Sequence, residues 1–326
     1  MGSLCTQHTP TADAVRTNRP EKSAIVVGSM PIPDVAALMI AQDCGFFARE
    51  GLTVKTRTIQ GASFALPLLE NGQMDLSLLN YSTAFMAQAK KVHDVRFVAD
   101  AYQAGPGAFR LMSLNPKLQT LQDLPGKTIS VATKKSIGTL SIEMTFDAAG
   151  VTADDDKMVE IPLPDMLKAL LAGTVDVAWM TEPFIRVAVN KGAHSVADVM
   201  AGPAADFPIA GYGATAQYAA KNPNTVAAFQ RAIADGQQIA AGNRGAVTKI
   251  LPTYIPKITS TEAALIILGV YPISLDLTRL KRVADALQKY GYTEELVDVA
   301  PLLLQPTMSP SPATSDEPLL QGGVTS

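Results

Sequence analysis

The sequence predicts an α/β protein built as two similar lobes, each a parallel sheet covered by helices. Two observations carry that prediction. The first is an internal repeat: Leu69, Gly72, Asp75 and the apolar run from Leu76 recur as Leu170, Gly173, Asp176 and the run from Val177, each at an offset of 101 positions. Gly45 and Gly150, both placed to end helices, lie 105 positions apart, so the repeat extends along both units. The second is the alternation of short β-branched runs with segments of helical periodicity, the pattern of parallel strands joined by crossover helices. A chain of 326 residues that is 47% hydrophobic is long enough for two cores of about 100 to 150 residues each.

The elements follow in order. Residues 1–21 contain few large apolar groups and read as a disordered tether. Ala24 to Gly28 is a buried strand, and the prolines of Ser29-Met30-Pro31-Ile32-Pro33 force a loop. Asp34 then stands where a helix cap is expected, before a helix from Val35 to Asp43. Leu52 to Ile59 is a strand, a helix runs from Gly61-Ala62-Ser63 to Gly72, and Leu76 to Leu79 is a strand. The second unit repeats this with strands at Thr128 to Ala132, Met158 to Ile161 and Val175 to Met180, and helices at Thr139 to Ala148 and Asp165 to Ala172. Between the units, Val95 to Tyr102 and Ala108 to Ser113 read as strands broken by Gln103 to Gly107, where a crossover fits. A second crossover is placed at Pro208 to Ala214, followed by helices Asn224 to Ala241, Gly245 to Leu251, Thr261 to Leu268 and Leu277 to Tyr290. The resulting division is 22–104 for the first lobe, 105–209 for the second, 210–304 for the return to the first with its helices, and 305–326 for a disordered tail rich in Pro, Ser, Thr and Gly.

Composition removes several functions. A net charge of -3 from 27 basic and 30 acidic residues gives no field to recruit nucleic acid or an anionic membrane. No apolar run reaches the roughly 20 residues of a membrane helix. Two cysteines far apart in sequence, Cys5 and Cys44, argue against a structural disulfide. Met1-Gly2-Ser3 reads as an expression leader that has replaced a native export signal. Cys5 is then either the lipid-bearing cysteine of a lipoprotein or an incidental thiol. His8, His93 and His194 pair with no cysteine or serine motif, and no HExxH, CxxC or serine elbow occurs, so no catalytic residue, metal site or cofactor is expected.

In doubly wound sheets ligands bind beyond the carboxyl ends of the strands. That rule selects Ser29, Met30 and Asp34, Ser63, and Asn80 with Tyr81 in the first lobe. In the second it selects Lys135 with Ser136, the loop Pro162 to Asp165, and Trp179, Thr181 and Glu182; the six loops converge if the lobes face each other. The loop Thr133-Lys134-Lys135-Ser136 opens a helix and offers free N–H groups with two ammonium groups, which suits a carboxylate, sulfonate or phosphate. Asp34 and Glu182 suit an amino nitrogen, or they cap helices. Trp179 forms core or a cleft wall, and Tyr81 and Tyr102 either stack on a flat ligand or fill a lobe interior.

The run Ala41-Gln42-Asp43-Cys44-Gly45-Phe46-Phe47-Ala48-Arg49-Glu50-Gly51-Leu52-Thr53-Val54 resembles the A-x-x-x-G-F-F-x-x-E-G-L-x-V signature of solute-binding proteins serving nitrate, sulfonate, taurine and thiamine-precursor ABC importers. Leu69 to Asp75, Leu121 to Ile129 and Val175 to Phe184 match later blocks of the same family. The resemblance implies two Rossmann-like lobes of the type II periplasmic-binding-protein fold, joined by two crossovers around a ligand cleft. It also implies an extracytoplasmic monomer that closes on a small solute and hands it to a permease. The solute is either a sulfonate or carboxylate, or an amino N-heterocycle such as an aminopyrimidine. The rival implied by the same resemblance is a cytosolic biosynthetic enzyme on this fold, similar to a pyrimidine synthase or a dehydratase.

Overall fold

A computed structural model describes residues 19–306. Cys5 therefore lies outside the described residues. Lobe 1 begins with β1 (Ala24–Ser29), α1 (Ala36–Asp43), α2 (Phe46–Arg49), β2 (Thr53–Thr58), α3 (Ala62–Glu70), β3 (Leu76–Asn80), α4 (Tyr81–Ala89) and β4 (Val95–Gln103). Lobe 2 holds β5 (Phe109–Ser113), β6 (Ile129–Val131), α5 (Ile137–Ala148), β7 (Met158–Glu160), α6 (Leu163–Leu171), β8 (Val177–Thr181), α7 (Phe184–Asn190) and β9 (His194–Asp198). The chain then returns to lobe 1 through β10 (Pro208–Thr215), α8 (Ala216–Lys221), α9 (Pro223–Gly242), α10 (Arg244–Tyr254), α11 (Ser260–Leu265) and α12 (Leu277–Lys289).

Each lobe contains a five-stranded sheet, in the orders β2-β1-β3-β10-β4 and β7-β6-β8-β5-β9. The repeat seen in the sequence is a repeat of backbone duties. Gly72 and Gly173 adopt φ of 72° and 68°, and Gly45 and Gly150 adopt 70° and 67°, the left-handed turn that ends a helix and that glycine reaches without a Cβ penalty. Asp75 accepts the N–H of Val26 at 2.8 Å, and Asp176 accepts that of Thr128 at 2.9 Å. The same aspartate thus ties the third strand of each unit to the start of its first.

The sheets are mixed, where the sequence pattern predicts parallel ones. β10 runs antiparallel between β3 and β4, and β5 runs antiparallel between β8 and β9. Pro208 to Ala214, expected as a crossover, is this inserted strand, and its glycines are packing requirements. A Cβ on Gly211 would sit 2.5 Å from the Tyr81 hydroxyl and 2.8 Å from the Ala99 carbonyl; one on Gly213 would sit 2.7 Å from Leu79. The connections between lobes are 104–108 and 199–207, tied together by the Ala104 N–H to the Phe207 carbonyl at 2.9 Å. Residues 81–89, expected partly as loop, form α4, capped by Asn80.

Beneath the sheet of lobe 1, α1 is buried through Ala36, Ala37, Leu38, Ile40 and Ala41, with Gln42 and Asp43 exposed at its end. The long helix α9 crosses it at Gly236, where a Cβ would lie 2.3 Å from the Ala37 carbonyl. Glu21, placed in the tether by composition, is fixed instead at the start of α9: its carboxylate accepts the N–H groups of Asn224 and Thr225 and the Thr225 hydroxyl, at 2.8–3.0 Å. Burial opposes its ionisation, but these bonds outweigh that and hold its carboxyl below the ordinary range. Gln305, assigned to the tail, donates to the Leu275 carbonyl at 3.2 Å. Cys44 is disulfide-bonded, a correction to the expectation of independent thiols.

Two seams bridge the lobes beside the crossovers. At one, Tyr292, just beyond α12, donates to Thr139 of α5, and Lys289 and Tyr290 both donate to Asp147, each at 2.8 Å. At the other, Glu182 and Arg186 of lobe 2 bond the backbone of Ile267 and Leu265.

Candidate functional site

The carboxyl ends of the strands in both lobes face a common cavity of about 300 Å³. That volume sits at the lower end of the range for small-molecule sites. All six expected loops reach it: Met30 and Asp34, Ser63 with Phe64, and Asn80 from lobe 1; Ser136, Leu163, and Trp179 with Thr181 from lobe 2.

Lobe 1 supplies the buried acid. β1 ends at Ser29, whose carbonyl accepts the Ile59 N–H, so the following prolines turn the chain out over the strand ends. Asp34 sits in the short 3₁₀ turn Pro33–Val35 and is 3% exposed. It caps no helix, contrary to the expectation from its position, and its Oδ1 has no hydrogen-bond partner. Burial pushes its carboxyl up to about 7. Tyrosines surround it. Tyr254 donates to the Ile32 carbonyl at 3.1 Å and Tyr271 to the Pro33 carbonyl at 3.0 Å, so their protons are engaged by backbone and are not offered to Asp34. Asn80 caps α4 by accepting from Ser82 N–H and Oγ–H through Oδ1, which leaves its amide nitrogen as the polar atom for the cavity.

Lobe 2 supplies the flat wall. Trp179 is held edge and face: its indole N–H donates to Ser141 Oγ at 3.0 Å, and its ring lies 5.4 Å from that of Phe109 at 31°. Gly138 permits the start of α5 to approach, since a Cβ there would already touch the indole at 3.4 Å. Ser136 caps α5, accepting from Gly138 N–H at 3.3 Å and donating to the Thr133 carbonyl at 2.7 Å. Its helix start is therefore largely satisfied from within. Lys135 is exposed in a left-handed conformation, φ 50°, and does not line the cavity; neither does Lys134. Among the described residues the lining contains no lysine, arginine or histidine, while it contains Asp34 and Glu160.

Four other expected residues are placed elsewhere. Ser29 is buried at the end of β1. Tyr81 opens α4 but turns under the sheet, fully buried against Phe97 and Phe85 with ring centroids 4.6 and 5.9 Å away. Tyr102 packs edge-on to Tyr271 at 5.3 Å, and its hydroxyl accepts the Gly269 N–H. Glu182, 1% exposed, accepts the N–H groups of Arg186 at 3.1 Å and Ile267 at 3.3 Å, which ties it to the first turn of α7 and makes it a strut to lobe 1. Burial raises its pKa, the two N–H groups opposing. Phe109, Glu160 and Ala210, which the strand-end rule does not select, are also on the lining. Glu160 ends β7, and extending the strand-end rule back by one residue finds it. Phe109 and Ala210 belong to the antiparallel strands, whose starting ends face the cavity.

This arrangement of paired α/β lobes is also found in sequence and structure comparisons. A sequence-family model described as NMT1/THI5 like matches residues 32–244. The chain belongs to that family. The nitrate/nitrite binding protein NrtA of Synechococcus elongatus is 25% identical over 244 residues, covering 67% of this chain and 55% of that protein. NrtA of Nostoc is 25% identical over 260 residues, covering 70% of this chain and 57% of that protein. The chain thus spans little more than half the length of these curated relatives. Among solved structures, the alkanesulfonate-binding protein SsuA of Xanthomonas axonopodis superposes with a TM-score of 0.71 at 17% identity, covering 87% of this chain and 99% of that one. The periplasmic nitrate-binding protein NrtA of Synechocystis gives 0.72 at 17% identity, covering 84% and 83%. The fold is that of the periplasmic binding proteins.

Proposed function

We propose that this protein is the extracytoplasmic solute-binding component of an ABC importer, and that its solute is a small amino N-heterocycle such as an aminopyrimidine. The relatives named above, binding proteins for nitrate/nitrite and alkanesulfonate, support a binding role. The choice of ligand rests on one observation: Asp34 reaches the cavity buried and with an unpartnered oxygen, among described lining residues that include no cationic side chain. An oxyanion there faces Glu160 and finds no cationic side chain among the described lining residues, so its charge is desolvated without a counter-ion. An amino heterocycle gives Asp34 its missing partner and lies against Trp179 and Phe109. Ligand capture is the whole of the chemistry: contacts from both lobes favour the closed state, and the permease takes over the solute.

Thermal unfolding tests this with 4-aminopyrimidine, nitrate and ethanesulfonate as probes. The heterocycle stabilises the protein, by about 2.7 kcal/mol at a hundredfold excess over its dissociation constant, and is recovered unchanged. Stabilisation by nitrate or ethanesulfonate instead overturns the ligand class; product formation at enzyme-like rates overturns the binding role in favour of the biosynthetic alternative.

A further inference from the structure

Asp34 is a carboxyl group without a counter-charge. The titratable groups packed around it are tyrosines from four separate elements: Tyr102 on β4, Tyr212 on β10, Tyr254 on α10 and Tyr271 on the segment after α11. Burial raises the pKa of all four well above the ordinary phenol range, so they remain neutral. Tyr254 and Tyr271 spend their protons on backbone carbonyls, and the Tyr212 hydroxyl, like Asp34 Oδ1, has no partner. From lobe 2 the group across the cavity is Glu160, which accepts the Lys134 backbone N–H. A carboxylate in these surroundings has neither a cation nor an N–H or O–H donor for Oδ1, while a neutral carboxyl has a proton to give. With burial raising the group to about 7, that proton is present near neutrality.

Resting on the ligand class proposed above, we propose that the ligand is bound by proton hand-over: the neutral Asp34 carboxyl gives its proton to a basic ring nitrogen, and the heterocycle becomes a cation only inside the cavity. The O–H bond of the carboxyl breaks, an N–H bond forms on the ring, and the pair is held by the resulting charge-assisted hydrogen bond, with no proton exchanged with solvent. A free base therefore enters without shedding the solvation of a charge. A heterocycle already charged in water must instead expel the Asp34 proton into solvent.

The two kinds of ligand respond to pH with opposite signs. For 4-aminopyrimidine, affinity is flat between the pKa of the free base and about 7, where both partners are in the required neutral form. Above that, Asp34 has lost its proton and one must be taken up from solvent, so affinity falls by up to about tenfold per pH unit. For 1-methyl-4-aminopyrimidinium, whose charge is permanent, affinity rises by the same factor per unit until about 7 and then levels. Isothermal titration of the intact protein in two buffers of different ionisation enthalpy counts the protons exchanged with solvent, and the ultraviolet absorption of bound 4-aminopyrimidine reads which partner holds the proton: the spectrum of the ring cation is expected near neutrality, and that of the neutral base overturns the hand-over. The expected counts are zero below neutrality and one taken up above it for the free base, and one released below neutrality for the methylated salt. Asp34→Asn removes both slopes; if that variant does not fold, the opposed slopes of the unsubstituted protein decide. Parallel slopes, a zero proton count for both ligands at every pH, or slopes retained in Asp34→Asn overturn the hand-over while leaving the ligand class standing. Failure of both heterocycles to bind, with binding of nitrate or ethanesulfonate, overturns the ligand class and the hand-over together.

Discussion

Asp34 and Glu182 are both buried carboxyl groups at the junction of a strand and a helix, yet their neighbours give them different work. Glu182 is satisfied by two N–H groups, one of them on the other lobe. Glu182→Gln leaves one of those donors without a full partner and is expected to cost about 1–3 kcal/mol in a urea unfolding titration, with heterocycle affinity little changed because Glu182 does not line the cavity. Asp34 is not satisfied, and it burdens the empty protein. Its pKa is raised from 3.8 to about 7, so the native state holds a proton the unfolded chain has lost between those values, and stability falls as pH rises through that window. The full gap is on the order of 4 kcal/mol above pH 7. Asp34→Asn is therefore expected to raise the stability of the ligand-free protein at alkaline pH by a few kcal/mol while weakening heterocycle binding, which thermal unfolding with and without 4-aminopyrimidine measures. The sequence showed two acids at strand ends and could not divide their duties. What frees Asp34 depends on Tyr254 and Tyr271, whose partners lie 222 and 238 positions away in the chain.

Among the elements, the pair α1 and α9 sets the tightest tolerance. Gly236→Ala drives a methyl group into the Ala37 carbonyl of α1, a backbone atom that cannot rotate away. The helices must separate, at a cost of about 1–3 kcal/mol or more in unfolding free energy. At the start of α9, Glu21→Ala is expected to cost on the order of 1 kcal/mol, the worth of a helix cap. Because the Glu21 pKa is lowered in the folded state, this contribution is present above the unfolded value of 4.5 and is lost as pH falls through the folded one, so the difference from the unsubstituted protein shrinks in acid. The elements that the sequence displays plainly are those with a local signature, such as the glycine-terminated helices and the strands that follow Asp75 and Asp176. β10 lacks one. Its proline and two glycines read as a connection, and only the proximity of Tyr81, Ala99 and Leu79 shows why side chains are excluded there.

For the molecule as a whole, the repeat made two lobes legible, and with them the convergence of six loops; the charge of the cavity was not legible, because it depends on how far Lys134 and Lys135 turn away once the lobes are packed. Trp179 gives a direct readout of that cavity. It is the only tryptophan in the chain and sits on the lining, so ligand binding is expected to change its emission, saturating at the same midpoint as thermal stabilisation. Proven binding with unchanged emission would place the ligand elsewhere. The position of β10 bears on how the chain assembles as it leaves the ribosome. Every strand of the second sheet has been synthesised by Asp198, whereas β4 has no neighbour in its own sheet until Pro208–Thr215 emerges and slots between it and β3. The lobe that begins first is thus completed last, and its closure must wait for long-range pairing across the already finished second lobe.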